Sequence, residues 1–313
     1  MRIVFMGTPE FAVPSLEALL GAGYEVVAAV TQPDRPVGRK GTLTPPPVKV
    51  CAQAHGVPVL QFERIRRPEG RQALSALAPD LFVTAAFGQI LSQKVLDIPR
   101  LGTINVHASL LPAYRGSAPI NWCLLRGEAR TGVTTMMTDA GIDTGDMLLR
   151  EETDILPEET AEELSARLSK IGAETLLRTL RALEAGTLVR TPQDESAASY
   201  YPMLDKELGR MDFSRPAREL HNQVRGLYPW PGAFAETPSG VLKIWSARAH
   251  EEDSGLAPGT VARADAKGGL FVACGKGTLE ILELQAPGSK RMNARDYLRG
   301  KPMRQGAPLG ERE

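Results

Sequence analysis

The first half of the chain alternates continuous apolar runs with segments in which apolar residues recur every three or four positions. Continuous, β-branched runs predict buried strands, and the longer spacing predicts helices. The predicted strands are Arg2–Met6, Glu25–Thr31, Val57–Leu60, Leu81–Ala86, Gly102–His107 and Gly132–Met137. The predicted helices are Phe11–Leu20, Val48–His55, Gln72–Leu77, Pro119–Leu125 and Glu159–Ala185. This alternation predicts an α/β domain built on a mostly parallel, Rossmann-like sheet.

The pattern changes in the last third of the chain. Residues 188–205 have no clear periodicity and several Pro and Ser residues, which is typical of a linker. Beyond them, one helical segment, Pro216–Val224, precedes short strand-like runs separated by Gly- and Pro-rich turns, which predicts a small barrel or sandwich. These runs are Leu242–Ala247, Gly259–Arg263, Leu270–Cys274 and Thr278–Ala286. We therefore expect a catalytic domain at 1–187, a linker at 188–205 and a second domain at 206–313.

Composition fits a two-domain globular protein of 313 residues. No apolar run reaches the roughly 20 residues that a membrane span needs, and the first residues lack the features of a signal peptide. The cysteines, Cys51, Cys123 and Cys274, are widely spaced and predict free thiols in a reducing cytoplasm. The 37 basic residues balance the 37 acidic ones. The carboxyl-terminal part is slightly basic, which is a weak indication of an acidic partner there.

The richest candidate chemistry lies at Asn105 and His107. On a strand these positions point to the same side, so an amide and an imidazole project together. Such a pair suits acyl transfer, because the amide can hold a developing oxyanion and the imidazole can donate or shuttle a proton. No G-x-S-x-G motif is present, which favours direct attack by an amine over a covalent acyl-enzyme. Local hydrogen bonding of the two residues is the alternative.

A second candidate is the acidic loop of Asp139, Asp143 and Asp146, which follows a predicted strand. A carboxylate near His107 would favour the charged imidazole. Metal binding and ordinary turn chemistry are the alternatives, although the spacing does not match an EF-hand. The first loop carries Gly7 but has Pro9 where a dinucleotide-binding motif needs its second glycine, so a Rossmann dehydrogenase is disfavoured.

Several motifs together resemble the folate-dependent formyltransferase family: NVHASLLP at Asn105–Pro112, YRG at Tyr114–Gly116 and GIDTGD at Gly141–Asp146. The catalytic Asn, His and Asp of that family map onto Asn105, His107 and Asp143. The resemblance implies an OB-like β-barrel as the second domain, 10-formyltetrahydrofolate as the formyl donor and no metal. It also implies that Asn105 and His107 stabilise the oxyanion while Asp143 orients His107.

The resemblance further implies a folate site, in which the pterin lies against backbone of two loops. The implied residues are Phe87, Gly88, Gln89, Ile90, Leu91, Ser109, Leu110, Leu111, Pro112, Thr138, Asp139 and Gly141.

The acceptor is implied by a third segment. Thr31–Arg39 (TQPDRPVGR), with Lys40 and Pro45–Lys49, is similar to the loop by which family members acting on methionyl-tRNA reach the acceptor stem. No acidic residue lies between Arg35 and Lys49, which suits phosphate contacts. We therefore expect initiator methionyl-tRNA as substrate of a monomeric, cytoplasmic enzyme of translation initiation. A sugar-nucleotide N-formyltransferase and a non-catalytic tRNA- or folate-binding protein are the alternatives. The expected tRNA contacts are Arg35, Arg39, Lys40, Lys49, Lys290 and Arg291.

Overall fold

The computed structural model describes residues 1–38 and 41–310. The chain forms two compact units, and neither is continuous in sequence. The first comprises Met1–Pro119, Arg130–Asp154 and Ser165–Tyr201, and the second comprises Ile120–Ala129, Ile155–Leu164 and the rest of the chain from Pro202. The predicted boundaries at 187 and 205 stay a prediction.

The strands of the first unit follow the expected apolar runs, with additional short strands between them. They are β1 (Arg2–Gly7), β2 (Glu25–Thr31), β3 (Arg35–Val37), β4 (Thr42–Thr44), β5 (Val59–Gln61), β6 (Leu81–Ala85), β7 (Thr103–His107), β8 (Arg115–Gly116), β9 (Arg130–Met137), β10 (Met147–Asp154) and β11 (Tyr200–Tyr201). The helices over this part of the chain are α1 (Val13–Gly21), α2 (Pro47–Ala54), α3 (Pro68–Ala76), α4 (Gln93–Leu96), α5 (Pro119–Leu125) and α6 (Ala161–Glu184).

Seven of these strands form one sheet in the order β10-β9-β7-β6-β1-β2-β5. The pairs from β7 to β5 are parallel, whereas β9 runs antiparallel to β7 and β10 antiparallel to β9. β1 and β6 lie near the centre and are almost wholly buried, as continuous apolar strands in a parallel sheet should be. β10 lies at the edge, and its alternating polar residues explain why no apolar run indicates it.

The elements of the chain from Ala217 onward are α7 (Ala217–Gly226), β12 (Ala233–Thr237), β13 (Gly240–His250), β14 (Val261–Asp265), β15 (Gly269–Ala273), β16 (Thr278–Gln285), β17 (Met292–Asn293) and α8 (Ala294–Gly300). The strands form a six-stranded sheet in the order β12-β13-β16-β15-β14, with β17 paired to β16. Adjacent strands run antiparallel, and Leu220 and Val224 on α7 belong to one apolar core with strand residues such as Leu242 and Ile281. The predicted fold class, a mostly parallel α/β sheet followed by a small β domain, is confirmed.

None of the helices in residues 1–38 and 41–310 combines the length and apolarity needed to cross a membrane.

Helix α7 also buries polar side chains within the second unit. Arg225 donates from Nη1 to the carbonyl oxygens of Leu156 and Glu159, at 3.3 and 3.2 Å. The Nε2 atom of His221 lies 3.3 Å from a carboxylate oxygen of Glu158, and the imidazole is only 2% exposed. Burial lowers the pKa of His221 below its ordinary value of 6.5, Glu158 opposes that shift, and nearby Arg225 and Arg218 add to it.

This burial predicts a pH dependence of stability. The folded state disfavours the charged imidazole, so His221 takes up a proton more readily after unfolding. Its neutral form therefore contributes stability above about pH 6.5, and that contribution is lost as the pH falls below this value. The free energy of unfolding, measured by urea titration, should fall between about pH 7.5 and 5.5 less steeply in His221→Gln than in the unaltered protein.

The control is His55→Gln, which alters an exposed histidine in the first unit. This variant should lose stability with falling pH as the unaltered protein does. If His221→Gln and the unaltered protein show the same dependence, His221 is not the group responsible.

Candidate active site

Asn105 and His107 lie on β7, next to the antiparallel neighbour β9. The alternation of side chains along a strand places both on one face of the sheet, as predicted. Asn105 is in register with Thr84 of β6 and with Met136 of β9. It therefore lies two residues inside the strand, and His107 is the residue at the strand's carboxyl end.

The side-chain amide of Asn105 is held in one orientation. The hydroxyl of Thr84 donates to Oδ1 of Asn105 at 2.9 Å. Since the oxygen of the amide is fixed in this way, its nitrogen must point away from Thr84. No described residue accepts a hydrogen bond from Nδ2 of Asn105, and the side chain is only half-buried. Two N–H donors are therefore available to a ligand.

The imidazole of His107 lies between two hydrogen-bond acceptors. Its Nε2 atom is 3.0 Å from the carbonyl oxygen of Tyr114, and its Nδ1 atom is 3.7 Å from Oδ2 of Asp143. The first distance is a hydrogen bond, and the second is an electrostatic contact too long to be one. His107 is 6% exposed, so both contacts lie in a largely water-free environment.

The carboxylate of Asp143 is anchored by backbone. The N–H of Gly116 donates to its Oδ2 atom at 2.9 Å. Asp143 has a φ of +55°, in the left-handed region that few non-glycine residues adopt. The loop closes tightly on β9, because a Cβ atom on Gly145 would overlap the carbonyl oxygen of Met137. The glycine in the D-T-G sequence therefore permits the turn that presents Asp143 to His107.

The neighbouring carboxylate of Asp139 has a different role. Its Oδ1 atom accepts hydrogen bonds from the N–H of Gly141 at 3.0 Å and from the hydroxyl of Thr144 at 2.7 Å. This is ordinary turn chemistry, the alternative named for this residue from the sequence. Within residues 1–38 and 41–310, no group of three or more His, Cys, Asp or Glu residues is placed to hold a metal ion.

The loop after β6 is held in place by hydrogen bonds of two glutamine side chains, Gln89 and Gln32. Gln89 donates through Nε2 to the carbonyl oxygen of Phe62 and accepts at Oε1 from the N–H of Ile65, both at 2.7 Å. Gln32 donates to the carbonyl oxygen of Gly88 at 2.9 Å. Phe87 and Leu91 are buried, whereas the side chain of Ile90 is 66% exposed. In this loop the side chain of Ile90 is accessible to a ligand, whereas the hydrogen-bonding groups of the Gln89 side chain are used to hold the loop in place.

The segment after His107 is fixed by Thr134 on β9. The hydroxyl of Thr134 donates to the carbonyl oxygen of Ser109 at 2.7 Å and accepts from the N–H of Leu111 at 3.1 Å. Arg150 donates to the carbonyl oxygen of Leu111 at 3.1 Å. These bonds hold the predicted folate segment Ser109–Pro112 against the sheet, with Leu110 and Pro112 half-exposed.

Comparison with known proteins shows the family to which this chain belongs. Residues 1–180 match the sequence profile described as formyl transferase, and residues 203–302 match that of the formyl transferase carboxyl-terminal domain. The chain belongs to the formyl transferase family. A relative from Geotalea uraniireducens is 51% identical over 100% of this chain and 99% of its own, and it is named methionyl-tRNA formyltransferase. A relative of the same name from Ruminiclostridium cellulolyticum is 49% identical over 99% of this chain and 100% of its own.

Solved structures share the fold at low sequence identity. An N-formyltransferase from Helicobacter canadensis, in complex with folinic acid and dTDP-3-aminofucose, has a TM-score of 0.67 at 18% identity, over 91% of this chain and 98% of that one. HypX from Aquifex aeolicus, in complex with tetrahydrofolic acid, has a TM-score of 0.65 at 19% identity, over 95% of this chain and 47% of that one. This chain therefore spans about half the length of HypX.

Sequence reasoning missed a polar network around Arg115 in this formyl transferase. The guanidinium is fully buried and donates two hydrogen bonds to the carboxylate of Glu195, at 2.9 and 2.8 Å. It also donates to the hydroxyl of Tyr200 and to Oε1 of Gln193, both at 2.9 Å. The hydrogen bonds from Arg115 hold the pKa of Glu195 below its usual range. The YRG motif contained Arg115, but no local pattern indicated its partners.

The two described residues that were expected to contact tRNA in the first unit, Arg35 and Lys49, are both paired with acids. Arg35 on β3 forms an exposed ion pair with Glu63 at 2.6 Å. Lys49 on α2 contacts Asp34 at 2.8 Å and is mostly buried. Both acids lie outside the acid-free window Arg35–Lys49, so the sequence window alone overstated the free positive charge. Arg39 and Lys40 lie outside the described residues.

In the second unit, Lys290 is exposed, whereas Arg291 is engaged by its neighbours. The guanidinium of Arg291 lies 5.4 Å from the ring centroid of Tyr228 and 5.3 Å from that of Trp245. Its Nε atom also donates to Glu283 at 2.7 Å. The positive charge of Arg291 is therefore partly neutralised by Glu283.

The cysteines are all free and buried. Burial raises the pKa of the Cys274 thiol to about 11 and also raises that of Cys51. Because a thiolate is the reactive form, neither residue has the character of a nucleophile.

The Thr84–Asn105 hydrogen bond gives a prediction for formyl transfer. Thr84→Val keeps the side-chain shape but removes the donor, so the Asn105 amide can rotate. We expect kcat to fall about 10-fold, within the range that small misplacements of a reacting group produce. Steady-state kinetics should show that Thr84→Ser, which restores the hydroxyl, recovers most of the activity. Equal activity of the Val variant and the unaltered enzyme would mean that this bond does not orient Asn105 for catalysis.

Proposed function

We propose that this protein transfers the formyl group of 10-formyltetrahydrofolate to the α-amine of methionine on initiator methionyl-tRNA, for translation initiation. The observation that carries the proposal is the grouping of Asn105, His107 and Asp143 within a chain that matches methionyl-tRNA formyltransferases over its whole length. The structural neighbours bound to tetrahydrofolic or folinic acid support a folate donor. We propose further that the enzyme is a cytoplasmic monomer.

Asn105 is proposed to stabilise the oxygen of the formyl group during attack. Its Nδ2 atom is free of described partners and is oriented by Thr84, so the donors are preorganised where negative charge develops. Preorganised donors are effective because no reorientation is needed as the charge forms. The available amide therefore suits an oxyanion better than it suits a structural role.

His107 and Asp143 are proposed to move the proton that the attacking amine releases. The imidazole faces a carbonyl oxygen on one side and the Asp143 carboxylate on the other. A ring held between two acceptors keeps a fixed orientation, and the carboxylate stabilises the ring when it carries positive charge. The proton can then pass to the folate nitrogen that leaves. Burial raises the pKa of the Cys51 and Cys274 thiols, which makes both poor nucleophiles and supports direct amine attack over a covalent acyl-enzyme.

The folate is proposed to bind along the three loops that border β7. Exposed Ile90 supplies apolar contact, the braced segment Ser109–Pro112 supplies a rigid wall, and the loop of Thr138, Asp139 and Gly141 supplies backbone groups. The hydrogen bonds that hold Ser109–Pro112 and the loop after β6 favour binding, because little conformational freedom of these two segments is lost.

The tRNA is proposed to contact exposed basic residues on both units. Lys290 on the second unit is exposed, and the hairpin β3–β4 carries Arg35 and the exposed apolar side chains of Val37 and Leu43. Phosphate contacts by such residues give affinity that falls with salt. The ion pairs of Arg35 with Glu63 and of Lys49 with Asp34 reduce the contribution proposed for these two residues.

The decisive experiment measures transfer of labelled formyl from 10-formyltetrahydrofolate to charged initiator tRNA. Elongator methionyl-tRNA and a UDP-amino sugar serve as competing acceptors. The proposal requires transfer to the initiator tRNA in clear preference to both. Transfer to the amino sugar alone would establish a sugar N-formyltransferase, and binding of ligand without transfer would establish a non-catalytic protein.

Substitution of the proposed catalytic residues should separate catalysis from binding. Asn105→Ala removes an oxyanion donor, so kcat should fall on the order of 100- to 1,000-fold. Asp143→Ala should cost more, because it removes the partner of His107. Affinity for folate, measured by fluorescence titration, should change little in either variant. Near-normal turnover of Asn105→Ala at saturating substrates would refute its assignment.

The tRNA contact of the first unit should be visible in the salt dependence of binding. Arg39→Ala should weaken tRNA binding and reduce the slope of log K against log salt by about 1. Folate affinity should not change. Lys94→Ala, in helix α4 outside the proposed contacts, serves as the charge-matched control. An unchanged slope in Arg39→Ala would count against a phosphate contact at this residue.

A further inference from the structure

Gln193 binds the loop that carries Asp143. Its Nε2 atom donates to the carbonyl oxygen of Asp143 at 2.8 Å and to that of Gly145 at 2.7 Å. A carboxamide nitrogen has two N–H groups, so this one side chain uses both of its donors on the loop. The two carbonyl oxygens belong to the residues on either side of Thr144. The two hydrogen bonds therefore fix the backbone of the loop from Asp143 to Gly145.

Arg115 determines which way the Gln193 carboxamide faces. Nε of Arg115 donates to Oε1 of Gln193 at 2.9 Å, which forces the nitrogen of Gln193 toward the loop. The guanidinium is itself held by the two hydrogen bonds to Glu195 and the one to Tyr200. An arginine keeps its charge at any ordinary pH, so the bond that Arg115 donates to Gln193 does not depend on a change in the protonation of Arg115.

The Asp143 loop has few other attachments. Asp143 is held in the left-handed region of backbone space, and residues 139–142 are exposed. The hydrogen bonds of Asp139 go to Gly141 and Thr144, within the loop itself. Gln193 binds the backbone of the loop. The described contacts of the Asp143 carboxylate itself are those with Gly116 and His107.

We propose that Gln193, oriented by Arg115, is a positioning residue that holds the Asp143 carboxylate against His107 for formyl transfer. Gln193 does not touch the reacting atoms; it acts through the backbone of the Asp143 loop. This inference rests on the proposed role of Asp143. It also gives a function to the segment 188–205, which the sequence presents only as a linker.

The test uses Gln193→Glu, which keeps the size of the side chain and an oxygen for Arg115 but removes both donors. The full-length enzyme should lose kcat by about 10- to 100-fold, as a misplaced catalytic group does, while KM for both substrates stays within about two-fold. Gln193→Leu, which also lacks the donors and adds no charge, should lose a similar factor. Asp194→Ala is the matched control, because Asp194 is adjacent and exposed and caps the short 3-10 helix Glu195–Ala197. It should keep the unaltered kcat.

A double-mutant cycle distinguishes positioning from a general structural role. In the background of Asp143→Asn, Gln193→Glu should lower the residual activity by less than about two-fold, because its target has already been removed. Equal losses in both backgrounds would overturn the inference, as would near-normal kcat in both Gln193 variants. If the unaltered enzyme itself fails to formylate methionyl-tRNA, the proposed function fails instead, and the two failures are therefore distinguishable.

Discussion

The candidate site depends on the carboxylate of Asp143, which accepts a hydrogen bond from the backbone N–H of Gly116 and lies beside the imidazole of His107. Strand β7 supplies His107, the turn around β8 supplies Gly116, and the loop after β9 supplies Asp143. None of these segments can bring the three groups together alone. The hydrogen bond of 2.9 Å from Gly116 is therefore the point at which separate pieces of the chain become one site.

The buried strands could be predicted from the sequence because a strand that is buried on both faces is a run of consecutive apolar residues. β1, β2 and β6 are mainly apolar and lie inside the sheet, so each appears as a nearly continuous apolar run. β10 lies at the edge with one polar face, and its mixed sequence gave no such run. Asn105 and His107 could be placed side by side from the period of a strand alone, and the structure has them on β7 as expected.

Contacts that a single polar side chain makes with a residue far away in the sequence produce no such pattern and could not be predicted. Gln193 is separated from Asp143 by 50 positions, and Arg115 is separated from Glu195 by 80. No periodicity or composition relates these residues, because each works through one or two hydrogen bonds and not through a repeated face. The same limit applies to charge. The acid-free window Arg35–Lys49 suggested unpaired cations, yet Glu63 and Asp34 reach them from outside it.

The conformation of Asp143 explains why its loop needs the hydrogen bonds from Gly116 and Gln193. A non-glycine residue in the left-handed region costs on the order of 1 kcal/mol or more and persists only where its surroundings determine it. A glycine at this position would relieve the strain but would remove the carboxylate. The chain instead places glycine at position 145, where close approach to Met137 demands it, and keeps the acid at 143. The hydrogen bonds from Gly116 and Gln193 then offset the backbone strain, so that the carboxylate is held facing His107 before any substrate arrives.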